Sequence, residues 1–435
     1  MIAAIDKIPF FHSYDAGSQR LVLKGATYFP LELLEFRDEI EILDASQGTL
    51  NSLPDDFAEL SKLRIAFFSK NQFEVLPAVL GRCANLTTVG FKSCRIRELP
   101  CESLPKKLRW LILSENCLEE LPDTIGECAE LEKFALAGNR LRKIPESLVN
   151  CTKLGLLRLG ANNFTKALPS WLFTLPNLAW YGDSGNPFCA GLTPDVSPLA
   201  IERSNISYGE RIGGSPTSEV FRGKLLNSDR AVAIKDYKGI LTSDGYAVDD
   251  MRASIAVGRH PCIIEVLGKI SPSLEGRDSL VLALLPERFR ALGLPPSLDT
   301  CSRDTFSSGT QLAIPFVLQV LQDISAAMSH LHEQGITHGD LYAHNILSDR
   351  AGHSILGDFG AASFIGPNED YRFKVEVKSF GYLMDDLMRL IPNHEKSEIF
   401  SEISDLRATC LNPDVKSRPT AKEIESQLSR LNCAM

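Results

Sequence analysis

The chain has 435 residues, of which 44% are hydrophobic and 23% charged, with a net charge of −9 and a pI near 5.5. That length fits two domains rather than one. An acidic balance with no Lys/Arg block excludes a nucleic-acid binder that works by neutralising phosphates, and the most apolar internal runs, Ser279 to Pro286 and Leu312 to Leu321, fall short of the roughly 20 residues that cross a bilayer.

At the N-terminus Asp6 and Lys7 interrupt the apolar run, so no signal-peptide core is formed and a cytoplasmic protein is expected. Eleven cysteines make an odd number and include no CxxC pair. Cys83, Cys128 and Cys151 recur at one place in a repeat, which predicts small buried thiols rather than disulfides or a metal site.

From Ile40 a 22 to 24 residue period begins, restarting at Leu63, Leu86, Leu108, Leu131, Leu154 and Leu178. Its clearest unit, LRWLILSENCLEELP from Leu108 to Pro122, alternates leucines that face a core only neighbouring units can close. Asn116 has counterparts in Asn71, Asn139, Asn162 and Asn186, suited to bonding backbone groups where the chain turns off each strand. Cys94 and Gly48 stand in for Asn in two units. Pro54, Pro77, Pro100, Pro122, Pro145 and Pro169 then stop further strand pairing. This pattern resembles leucine-rich repeats over about Ser18 to Cys189. Outward strand positions Ile65, Phe67, Trp110, Ile112, Leu156 and Trp180 form a candidate binding track for a protein partner, or a surface that another part of the chain covers. The period stops after Asn186, where three prolines and one glycine up to Asn205 give linker composition.

The second half carries the chemistry. Thr337 to Gly360 reads THGDLYAHNILSDRAGHSILGDFG, with Asp340, Asn345 and Asp358 at separations that suit phosphoryl transfer to a hydroxyl: one carboxylate orients the acceptor and two oxygen ligands hold magnesium against ATP. Together with VAIK at Val232 to Lys235, EVKSFG from Glu376 and CLNPDVKSRPTAKEI from Cys410, the segment resembles the protein kinase family from about Ile206 to Leu431. The resemblance implies that Lys235 contacts the α/β-phosphates and pairs with a carboxylate on the next helix, for which Asp250 is the best match and Asp249 the fallback. It implies a phosphate-covering loop at Gly213, Gly214 and Val220, and an adenine site lined by Ala233, Leu282 and Leu347. ATP and Mg²⁺ are the implied cofactors, with Asn345 and Asp358 as metal ligands.

Several positions depart from the family. Ser215 and Ser218 replace two loop glycines, and Pro216 stiffens the loop. Gly339 replaces the Arg of HRD, which predicts that activation-loop phosphorylation is not the switch. Tyr342 replaces a Lys, and His344 offers a partial substitute if protonated. Eighteen residues separate Asp358 from Glu376, leaving a short activation segment without a visible APE motif and Arg418 without that motif's Glu.

The expected architecture is an α/β leucine-rich repeat solenoid over residues 1–190, a linker over 191–204, and an α+β bilobal protein-kinase-like domain over 205–435. The expected function is an ATP- and Mg-dependent protein kinase acting on Ser/Thr. Two alternatives stay open: a pseudokinase scaffold that binds nucleotide without efficient transfer, and a small-molecule phosphotransferase, because HGDxxxxN with a short segment after DFG also resembles aminoglycoside and choline kinases.

Overall fold

A computed structural model describes residues 6–192, 199–215, 217–271, 278–393 and 398–433. Pro216 lies outside them. The chain divides into two compact units, Met1–Leu178 with Asn186–Phe188, and Ala179–Gly185 with Cys189–Met435.

The first unit is rich in strands and single 3₁₀ turns. A hairpin of β1 (Phe11–Asp15) and β2 (Arg20–Leu23) leads into a parallel ladder of β3 (Ile42–Asp44), β4 (Ile65–Phe67), β5 (Thr88–Gly90), β6 (Trp110–Ile112), β7 (Lys133–Ala135) and β8 (Leu156–Arg158). Each of the six prolines named above has extended backbone and immediately precedes a 3₁₀ turn. Its missing N–H would be unpaired there in any residue, so proline costs no hydrogen bond. The recurring asparagines are buried and bridge rungs. Asn116 Nδ2 donates to the carbonyls of Phe91 and Leu113, while Oδ1 accepts from the amides of Cys94 and Ile96. Gly48 replaces Asn where a Cβ would lie 2.3 Å from the Ala26 carbonyl oxygen. Burial pushes the Cys83 and Cys128 thiols up to about 11 and Cys151 to about 12, so they pack as apolar groups.

The expected exposed track is only partly exposed. Ile65 and Leu156 are buried, at 2% and 4% exposure. In a parallel ladder with strands about 4.8 Å apart, side chains at one register position touch laterally, and Ile65 stands between Ile42 and Thr88. Phe67, Trp110 and Ile112 are half-buried: Phe67 leans over Gly90, and the Lys133 ammonium sits 4.2 Å from the Trp110 ring centre.

The second unit includes the strand β9 (Trp180–Gly182), so its boundary falls before residue 190. Residues 200–202, expected in a linker, form a strand, β10 (Ala200–Glu202), in a six-stranded sheet. The remaining strands are β11 (Ile206–Ser215), β12 (Ser218–Leu225), β13 (Arg230–Tyr237), β14 (Val266–Ser271) and β15 (Ser279–Ala283), in the order β10-β14-β15-β13-β12-β11. Helix α1 (Ala247–Ala256) buries Asp250, Met251 and Ala253. Below the sheet, the long helix α2 (Ile314–Glu333) buries Val317, Leu321, Ile324 and Met328 at helical spacing, in a core shared with α3 (Phe373–Met388), α4 (Glu398–Cys410) and α5 (Ala421–Cys433). Between sheet and helices runs the segment that carries the acids of Thr337 to Gly360.

Candidate active site

Strand β13 is central in its sheet, with Lys235 opposite Val220 on one side and Leu280 on the other. This fixes the lysine in a largely buried position, 2.6 Å from Asp250 Oδ2 on α1 and 3.4 Å from Asp358 Oδ1. Burial alone would pull Lys235 down, but the charges of Asp250 and Asp358 outweigh it and hold the ammonium well above the ordinary lysine value. Lys235 in turn holds Asp358 below the usual carboxylate range. The shorter side chain of Asp250 therefore reaches the lysine directly, and no water is needed between them. Asp249 instead pairs with Arg252, at 3.3 Å.

Asp358 has φ 58°, a left-handed backbone that is uncommon outside glycine and concentrates at functional positions. Asn345 Nδ2 donates to both the carbonyl and Oδ2 of Asp340, at 2.9 and 2.8 Å. That bond sets the direction of the Asp340 carboxylate and makes Oδ1 the acceptor end of Asn345. His338 Nε2 lies 2.9 Å from the Gly357 carbonyl and its ring packs on Phe359, tying the two halves of the motif together.

A cavity of about 570 Å³ opens between sheet and helices. Val220, Ala233, Leu282 and Leu347 give it apolar walls, and Lys235, Asn345 and Asp358 supply polar groups. Gly214 lines it; Gly213, opposite Val220 in the β11–β12 pair, does not, nor do Asp340 and Asp250. At Gly214 φ is 140° and a Cβ would lie 2.6 Å from the Ser218 carbonyl, so this loop glycine is required. The two serines that replace loop glycines stabilise the turn: Ser215 Oγ accepts from the amides of Thr217 and Ser218 and lies 3.0 Å from Ser218 Oγ. Asn345 and Asp358 present hard oxygen donors to one cavity, a set suited to magnesium.

Three departures from the family acquire partners. Gly339 has φ 73°, and a Cβ there would lie 2.4 Å from the Ala361 carbonyl oxygen and 2.5 Å from that of Tyr181; an Arg has no room. Its amide donates to the buried Glu376, whose other oxygen lies 2.8 Å from His332 Nε2. His344 Nδ1 lies 2.7 Å from Asp304 Oδ1. Burial pulls His344 down, yet the hydrogen bond and charge of Asp304, with the charges of Asp340 and Asp358, outweigh it and raise its pKa. Arg418, buried, donates to the carbonyls of Asn412 and Lys374.

Asp304, Asp183 and Arg372 escaped the sequence reading. Arg372 is buried and paired with both oxygens of Asp183 at 2.8 Å, across 189 residues of sequence. Trp180, expected on an outward track, is buried at 2% exposure, with its indole ring 4.4 Å from that of Tyr342 and nearly parallel to it.

Residues 206–381 match the family described as protein tyrosine and serine/threonine kinase. The chain is similar to the serine/threonine-protein kinase TNNI3K of Homo sapiens, 27% identical over 39% of this chain, and to cell division control protein 7 of Schizosaccharomyces pombe, 28% identical over 46%. It is also similar to the probable serine/threonine-protein kinase SIS8 of Arabidopsis thaliana, 27% identical over 57%. The matched stretches span 19%, 18% and 27% of those relatives' own lengths. Residues 206–381 are thus a protein kinase domain of the serine/threonine type. No helix among the described residues is long and apolar enough to cross a membrane.

Proposed function

We propose that the protein is an ATP- and Mg-dependent serine/threonine kinase whose N-terminal repeats form a leucine-rich repeat solenoid that binds a protein partner. The observation that carries the catalytic part is Lys235 and Asp358 facing one cavity, the lysine ion-paired to both Asp358 and Asp250, with Asn345 bonded to Asp340. In this reading Lys235 neutralises the α/β-phosphates, Asn345 and Asp358 hold the metal, and Asp340 accepts the proton of the substrate hydroxyl as it attacks the γ-phosphorus. Magnesium, when bound, offsets the charge that develops on the transferred group. The protein's own work is positioning: charged groups held by buried partners need no reorganisation when the reaction begins.

The solenoid reading is supported by the parallel ladder, the proline-led turns and the asparagines that bridge rungs. Phe67, Trp110 and Ile112, half-buried, are its partner-binding candidates.

A scaffold that binds nucleotide without efficient transfer is the second reading, favoured by Gly339 and by the aromatic Tyr342 in place of a phosphate-contacting lysine. Labelled ATP and magnesium, offered with a generic protein acceptor or with small hydroxyl compounds, separate the readings. Label on protein that vanishes in Asp358→Asn supports the kinase. Label on the small compounds alone selects a small-molecule phosphotransferase, and no label with an ATP-raised melting temperature selects the scaffold.

A further inference from the structure

The segment Ala179–Gly185 belongs to the second unit although it continues the repeat pattern, and each of its residues from Trp180 to Gly185 meets a part of the phosphotransfer machinery. Trp180 Nε1 donates to the carbonyl of Leu341, the residue after Asp340, at 3.1 Å. Its ring lies nearly parallel to Tyr342 on the catalytic loop and to Tyr382 on α3, with centroids 4.4 and 5.2 Å away. Tyr181 presents its carbonyl oxygen so close to Gly339 that only a glycine fits there. Gly182 lies against Ala361, where a Cβ would come within 2.8 Å of the carbonyl oxygen. The Asp183 amide donates to Ser363 Oγ, Ser184 Oγ donates to the Ala362 carbonyl, and the Asp183 carboxylate grips Arg372 ahead of α3. Gly185 packs on Tyr246 and Asp249 at the start of α1, the helix that carries Asp250.

One short stretch therefore reaches the catalytic loop, the chain just after Asp358 and the beginning of α1. These are the three elements whose relative placement brings Asp340, Asp358 and Asp250 to their working positions. The contacts are of the kind that fix geometry: a buried indole hydrogen bond, parallel aromatic faces and a buried carboxylate–guanidinium pair in which Arg372 Nη2 donates to both oxygens of Asp183. Backbone approaches at Gly182 and Gly339 close the gap between segment and loop to van der Waals distance, leaving no space for an intervening side chain.

We infer that Ala179–Gly185 is a positioning segment for phosphotransfer, with Trp180 holding the catalytic loop that carries Asp340 and Asp183 anchoring the segment through Arg372. Trp180 touches no reacting atom; it acts through Leu341 and Tyr342. The kinetic consequence rests on the kinase reading, whereas the ordering of the loop does not.

The test uses the full chain with Trp180→Phe, which keeps an aromatic face and removes the N–H donor, beside Ile424→Val in α5 as a control of similar destabilisation away from the site. Backbone hydrogen exchange over residues 339–345 and steady-state transfer from ATP are measured for both. In Trp180→Phe, exchange over 339–345 is expected to rise about five-fold, the effect of one lost neutral hydrogen bond. The kcat is expected to fall by a similar factor, with the KM for ATP within about two-fold of the starting protein because the cavity walls are untouched. The control leaves loop exchange and kcat unchanged. Wild-type exchange at 339–345, or faster exchange with unchanged kcat, overturns the inference; a kcat loss without faster exchange does the same. If the starting protein transfers no phosphate while Trp180→Phe still loosens the loop, the kinase reading fails and the positioning role stands.

Discussion

Lys235 Nζ lies 2.6 Å from Asp250 Oδ2, so an aspartate where the family carries a glutamate still closes the ion pair between β13 and α1. The pair is almost wholly buried, with side-chain exposures of 13% and 5%. Breaking a buried pair from one side strands the other charge, at a cost of about 3–5 kcal/mol. Asp250→Asn is therefore expected to lower the melting temperature and weaken ATP binding together, measured by thermal unfolding with and without Mg-ATP. Unchanged ATP binding in that variant would show that the pair does not hold Lys235 at the phosphates.

Gly339 is expected to tolerate no side chain. Restoring the family's arginine with Gly339→Arg meets the carbonyl oxygens of Ala361 and Tyr181 and a left-handed φ, which alone costs about 1–3 kcal/mol outside glycine. Denaturant unfolding of Gly339→Ala should show at least that loss, and transfer should drop with it. A variant as stable as the parent would mean that the loop relaxes freely.

His344 carries a pH prediction. Its raised folded pKa means that its protonation stabilises the fold fully below the unfolded value of about 6.5, and this contribution disappears as pH rises through the higher folded value. With Asp304→Asn, burial dominates, and the His344 midpoint followed by NMR should move from above about 6.5 to below it. A midpoint that stays put would assign the raised value to Asp340 and Asp358 instead of Asp304.

In the first unit, Asn116→Ala removes three donated and two accepted hydrogen bonds from buried backbone groups. With each stranded group costing about 1–3 kcal/mol, urea unfolding should show a loss of more than about 3 kcal/mol, far above that of an exposed substitution such as Asn51→Ala.

Much of the site was legible because its chemistry is local in sequence. Asp340, Asn345 and Asp358 lie within one segment whose spacing constrains their geometry, and Lys235 is marked by VAIK, which resembles the third strand of the kinase family. The places where the repeat strands stop pairing were legible too, since proline has no backbone N–H to give a ladder; the 3₁₀ turns that follow the prolines were not. Pairs that meet across long separations left no local trace: Asp304 and His344 are 40 residues apart, Asp183 and Arg372 189. Trp180 follows the alternative left open for the track, a surface that another part of the chain covers. Its register within the repeat assigns an outward position, and nothing in the repeat announces that the catalytic loop supplies its neighbours. Ile65 shows the converse limit, because alternation along one strand says nothing about lateral cover from the next.

The most direct measurement compares transfer of labelled γ-phosphate to a protein acceptor by the full chain and by Asp340→Asn at saturating Mg-ATP, with the ATP-induced rise in melting temperature recorded for both. Asp340 as the proton acceptor predicts a kcat loss of about 10²–10⁴-fold with the ATP-induced rise retained. Equal transfer by the two proteins, or none by either, would contradict phosphotransfer through Asp340.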